Sequence, residues 1–158
     1  MQVIEPNEIL EKLAHHRLRV FEEGDVVLSS GSRTGRLLFL KHGAVDVVVD
    51  DVEVARISEP GAVFGDVALL LGQPHKADVR AVQPSSFHLV EDGEAFLDAE
   101  PDVLLYIAAV LARRLDAVNH LLIEVKGRSA EAEPRGGFFA EIYQRLSRAL
   151  QIRVPREP

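Results

Sequence analysis

The feature that most constrains the fold is the way glycine cuts the stretch from Leu18 to about Val90 into short runs of β-branched and aromatic residues. Segments such as DVVLSSG, RLLFLKHG, AVDVVVDD and VEVARI are too short for stable helices and carry the residue types that fit a pleated, half-buried surface. Gly24, Gly31, Gly35, Gly43 and Gly61 fall at turn positions, and Val49-Asp50-Asp51-Val52 has the composition of a tight hairpin. Many short strands at such spacing predict an antiparallel barrel or jelly roll.

One segment interrupts this pattern. Asp66 to Leu71 (DVALLL) favours a single helical turn over a strand, and strands resume at Ala77 to Val82 and Phe87 to Val90. Ahead of the strands, Asn7 to His16 places Ile9, Leu10, Leu13 and Ala14 on one side of a short helix, with Asn7 as the expected N-cap. Behind them, Glu94 to Glu100 reads as a short helix, and Pro101 suits the first position of a longer one, where its missing N–H costs nothing.

That longer helix is predicted over Pro101 to Lys126, without glycine or internal proline. Leu104, Ala108, Leu111, Leu115, Val118, Leu122 and Val125 step alternately by 4 and 3, a heptad seam. Val103, Ile107 and Val110 widen the apolar face in the first half, which fits packing on the strands. The second half narrows to the seam alone, so Leu111, Leu115, Val118, Leu122 and Val125 predict a twin helix in a two-fold homodimer. Ser129 to Gly137 reads as a linker, followed by an amphipathic tail helix through Phe138, Phe139, Ile142, Tyr143, Leu146, Ala149 and Leu150. The expected organisation is one domain over residues 1–126, including the long helix, with linker and tail over 127–158.

A chain of 158 residues accommodates one core of ordinary size. Its net charge of -7 argues against a protein that coats nucleic acid, although the residues from Lys126 onward carry +3 and leave -10 on the body. No run of about 18 apolar residues offers a membrane span. The N-terminus lacks the basic flank and apolar core of a signal peptide, and there is no cysteine, so the expectation is a soluble cytoplasmic protein without thiol chemistry.

The interrupting segment carries the chemistry. A one-turn helix entered through Gly65 presents backbone N–H groups at its start, and such a terminus attracts an anion. Asp66 can accept from a sugar hydroxyl, and His75-Lys76 can bring positive charge from the other side. The whole stretch FGDVALLLGQPHKADVRA resembles the phosphate-binding cassette of the cyclic nucleotide-binding domain family, a pattern of F-G-E, then A-L, then P-R-x-A-x-V-x-A. Phe64, Gly65, Ala68, Leu69, Pro74, Ala77, Val79 and Ala81 match it in order. FEEGDVV, LLFLKHGAVDV and the downstream PDVL and LARRL segments are similar to the same family's catabolite-activator branch, so the resemblance covers about residues 7 to 126.

The resemblance implies a β jelly-roll barrel flanked by helices, with cAMP or cGMP as candidate ligand. It places Phe64, Gly65 and the N–H groups of Asp66, Val67 and Ala68 around the cyclic phosphate, Asp66 on the ribose 2′-hydroxyl, and His75, Lys76 and Ala77 on the returning side. Val118 and Asn119 stand where the catabolite activator reads its base, and Asn119 can hydrogen-bond to one. Two departures stand out. Asp66 replaces the family's Glu and is one methylene shorter. His75 replaces its phosphate-binding arginine, a permanent planar fork, with a ring that donates at most once when neutral.

The six histidines form no H-x-H pair or other recognisable metal spacing, and neither a nucleophile–base arrangement nor a P-loop is evident, so no metal, cofactor or enzymatic activity is expected. About thirty residues after Lys126 are too few for a helix-turn-helix module, and the tail is expected to dock on its own dimer or on another protein rather than on DNA. The leading expectation is a stand-alone sensor that relays nucleotide binding to a partner. The alternative is a degenerate domain that has lost its ligand and serves as a dimerisation and docking scaffold.

Overall fold

The computed structural model describes residues 1–132, with side-chain surroundings through residue 128. The predicted tail helix and most of the predicted linker lie outside the described residues. The chain divides into two compact units, Met1–Val110 and Leu111–Pro158.

The first unit opens with α1 (Pro6–Lys12), continued by a 3-10 turn at Leu13–His15, so the first helix ends earlier than its apolar spacing suggests. Its N-cap is Glu5 rather than Asn7: Pro6 takes the first helical position, and the Glu5 N–H donates to the Glu8 carboxylate at 2.6 Å. Eight strands follow: β1 (Arg17–Phe21), β2 (Val26–Leu28), β3 (Leu37–His42), β4 (Val45–Val49), β5 (Val52–Ile57), β6 (Val63–Phe64), β7 (Asp78–Ala81) and β8 (Ser85–Val90). Between β6 and β7 sits α2 (Asp66–Leu71), with the predicted bounds. Next come α3 (Gly93–Ala99) and α4 (Pro101–Ala132), which starts at Pro101 as expected but passes through Gly127 into the residues read as linker.

The strands pair as two four-stranded antiparallel sheets, β1-β8-β3-β6 and β2-β7-β4-β5. The arrangement is a β-roll of two sheets rather than a closed barrel. Its interior draws on both: Phe21, Leu38, Leu40, Phe64, Phe87 and Leu89 from the first, Leu28, Val45, Val79 and Ala81 from the second. Alternation along β3 sends Leu38 and Leu40 into this interior and Leu37 and Phe39 to the opposite face, and all four are buried. With both faces apolar, the register of β3 is the one set by its pairing with β6 and β8, Phe39 opposite Val63 on one side and His88 on the other.

The helices at either end of the strands are tied to this frame by polar contacts. Lys12 on α1 bridges Glu100 and Asp102 at 3.1 and 2.7 Å, at the start of α4, and Tyr106 Oη donates to the Gly61 carbonyl at 2.9 Å. Val103, Tyr106 and Ile107 are buried, whereas seam residue Leu104 is exposed. In this part of α4 the packing stripe and the heptad seam are therefore different faces.

The described part of the second unit is the remainder of α4. There Leu115, Val118, Leu121, Ile123 and Val125 are all exposed, with values from 42% to 67%. Pairs one turn apart, Asp116 with His120 and Glu124 with Arg128, support the helix along its polar face.

Candidate functional site

The chain turns sharply from β6 into α2 at Gly65, whose φ is +90°. This left-handed conformation suits glycine, and space reinforces the choice: a Cβ there would run into the carbonyl oxygen of Arg36. The turn starts α2 so that the Leu69 N–H closes its first turn on the Gly65 carbonyl at 3.0 Å. Phe64 and Asp66 are buried, Ala68 is half-buried and Val67 is exposed. Gly72, also left-handed at +60°, ends the helix and releases the chain toward His75.

The returning side is built by a second segment, the loop between β2 and β3. Gly31 N–H donates to the His75 carbonyl at 2.7 Å, and His75 N–H donates back to the Ser32 carbonyl at 2.9 Å. Thr34 Oγ1 lies 2.9 Å from His75 Nε2 and accepts the Arg36 N–H at 3.3 Å. The threonine hydroxyl proton is thus available to the ring nitrogen, and the neutral ring then carries its own proton on Nδ1. Arg33 Nη1 donates to the Gly72 carbonyl at 2.9 Å, joining the loop to the end of α2.

A cleft of about 190 Å³ lies between these pieces, lined by residues that include Arg33, Thr34, Gly65, Ala68, His75 and Glu94. The His75 ring reaches toward Gly65, its Cε1 3.7 Å from where a Cβ would be. His75 is buried, and loss of hydration holds its pKa below the ordinary imidazole range, so it is neutral at pH 7. Lys76 is exposed, Ala77 is half-buried, and neither lines this cleft. Asn119 belongs to the second unit and is half-buried on α4.

The structure therefore brings Gly65, Ala68 and His75 onto one cleft and adds Arg33 and Thr34, which sequence reasoning did not single out. Their segment, SRTG, stands between two predicted turn glycines but about forty residues from His75. Only the compositional oddity of a cation and a hydroxyl inside a tight loop marks it.

This geometry can be set beside known proteins. The model of the cyclic nucleotide-binding domain matches residues 18–99, more than half of the chain. The chain belongs to the cyclic nucleotide-binding domain family. Over 125 residues, 77% of its length, it is 34% identical to the Pycsar effector protein XpPycTIR of Xanthomonas perforans, of which it covers 41%. It is 30% identical over 77 residues, 49% of its length, to the human potassium/sodium hyperpolarization-activated cyclic nucleotide-gated channel 4, of which it covers 6%. The chain thus spans less than half of these relatives. Among solved structures, the catabolite activator protein of Thermus thermophilus superposes with a TM-score of 0.63 at 25% identity, over 78% of this chain and 61% of that one. Among the described residues, no helix is long and apolar enough to cross a membrane, and no cluster of three or more His, Asp or Glu side chains could hold a metal ion.

Proposed function

We propose that the chain is a regulatory module that binds a cyclic nucleotide, cAMP or cGMP, at the α2 cassette, forms a homodimer through the outer part of α4, and relays occupancy to a partner protein. The observation that carries the reading is the left-handed Gly65 pressed against Arg36, which opens the first turn of α2 toward the cleft. In this reading the phosphate meets the backbone at Gly65 to Ala68 and the ribose hydroxyl meets Asp66. His75 and Thr34 stand on the other side, Lys76 adds long-range charge from the surface, and Asn119 is the base-contacting candidate. The similarity to an effector protein supports a signalling role.

Exposure of Leu115, Val118 and Val125 supports the dimer, because a continuous apolar seam is costly to leave in water. Substituting Leu115→Glu should turn dimers into monomers by light scattering; an unchanged mass refutes the helix-mediated dimer.

Nucleotide binding is tested by calorimetric titration with cAMP and with cGMP. Ligand that binds only the native state at about 100 times its Kd stabilises it by about 2.7 kcal/mol, which raises the melting temperature. Absence of heat and of a melting shift at millimolar nucleotide refutes the sensor reading. A second reading, a scaffold that no longer binds nucleotide, is favoured by the buried, neutral His75 already engaged by Thr34. That outcome of the titration selects it.

A further inference from the structure

The family's arginine is missing at position 75, yet the cleft is not without a permanent cation. Arg33 lines the same space as Gly65, Ala68 and His75, and among the described residues it is the only Lys or Arg in that lining. It reaches the cleft from the β2–β3 loop, not from the cassette, so no reading confined to the cassette would find it.

The loop is held in place by the protein's own contacts. Gly31 and Ser32 exchange two backbone hydrogen bonds with His75, Thr34 meets the ring, and Gly35 accepts the Gly93 N–H at 2.9 Å. Arg33 itself commits one N–H to the Gly72 carbonyl, where the end of α2 favours positive charge. A guanidinium has five N–H donors, so most of its fork stays available to an anion. The alternatives are weaker: burial keeps His75 neutral, and Lys76 is outside the lining.

From this arrangement we infer that Arg33 supplies the phosphate-clamping charge that residue 75 no longer provides, and that it sets the site's preference for an anionic phosphodiester. The inference rests on the nucleotide-binding reading above. Glu94 lines the same cleft, and its negative charge there disfavours a bound anion.

Two substitutions of opposite expected sign test this, with cAMP and cGMP titrated into the full chain. Arg33→Gln keeps a donor for Gly72 and removes the charge; affinity should fall about ten- to a hundredfold, as for loss of one charge-assisted contact. Glu94→Gln should raise affinity severalfold. A merely structural role for Arg33 predicts a lower melting temperature in Arg33→Gln with unchanged affinity, and no gain from Glu94→Gln. Adding His75→Arg to Arg33→Gln should restore binding, because it returns a cation to the cleft. Nucleotide binding that survives Arg33→Gln overturns this inference alone. Failure of the unsubstituted chain to bind either nucleotide overturns both it and the reading on which it rests.

Discussion

The two ends of the cassette are built in different ways. Its opening end is backbone: Gly65 adopts a conformation and a proximity to Arg36 that a side chain would disrupt. Its returning end is side chain: His75 is packed away from water, bonded to Thr34 and held neutral, with Lys76 out at the surface. The comparison teaches that shape and charge are separable in such a site. The turn into α2 depends on one glycine, whereas charge can enter from any neighbouring segment that the fold brings alongside.

The largest effect should come from the opening end. Gly65→Ala forces a left-handed alanine, a strain of about 1–3 kcal/mol, and places its Cβ against a backbone oxygen that cannot move aside cheaply. A melting temperature several degrees lower and loss of nucleotide binding are expected by thermal denaturation and titration. Unchanged stability would show that the turn is not the constrained element.

A smaller effect of opposite sign is expected at the returning end. His75→Arg should strengthen nucleotide binding about ten- to a hundredfold, the value of a charge-assisted fork over a neutral ring. No gain in titration would mean that residue 75 does not reach the phosphate; the scaffold reading takes precedence only where the unsubstituted chain also fails to bind.

The smallest effect is on stability against pH. His75 and His88 both have pKa values below the ordinary imidazole value, in each case chiefly through burial. The unfolded chain therefore takes up protons first. Stability should be full above about pH 6.5 and decline as pH falls through the folded-state values of these two histidines. Asp46, Asp78 and Asp102 are shifted downward by their basic or backbone partners, and their contribution is lost only in more acidic solution. Melting curves between pH 7.5 and 5.5 should show the decline, and substituting both histidines with Gln should flatten it. A flat profile in the unsubstituted chain would contradict burial as the main influence on these two rings. For the same reason, any gain in nucleotide affinity from protonating His75 should begin below pH 6.5.

Much of the fold was legible where local chemistry decides. Asp50 and Asp51 both have positive φ, and Val49 pairs with Val52, as a tight hairpin of that composition requires. The bounds of α2 and the start of α4 followed from Gly65 and Pro101 for equally local reasons. The misses arose from competition or distance. Asn7 has the better capping propensity, but Pro6 can open the helix at its first position, and Glu5 then pairs with Glu8. Gly127 costs a helix about 1 kcal/mol, which the turns on either side outweigh. The widening residues Val103 and Ile107 proved to be the buried face of α4, together with Tyr106, while Leu104 of the seam stayed exposed. Arg33 and Thr34 meet His75 only after the sheets have formed, so linear spacing holds no record of them.

The most direct test of the central claim is an amide-resolved titration of the isotope-labelled chain with cAMP and cGMP. Saturable shifts should concentrate at Gly65 to Ala68 and at Arg33, Thr34 and His75, with the exposed strand β5 unaffected. Shifts confined to surface residues, or none at millimolar nucleotide, would contradict the assignment of this cleft as the nucleotide site.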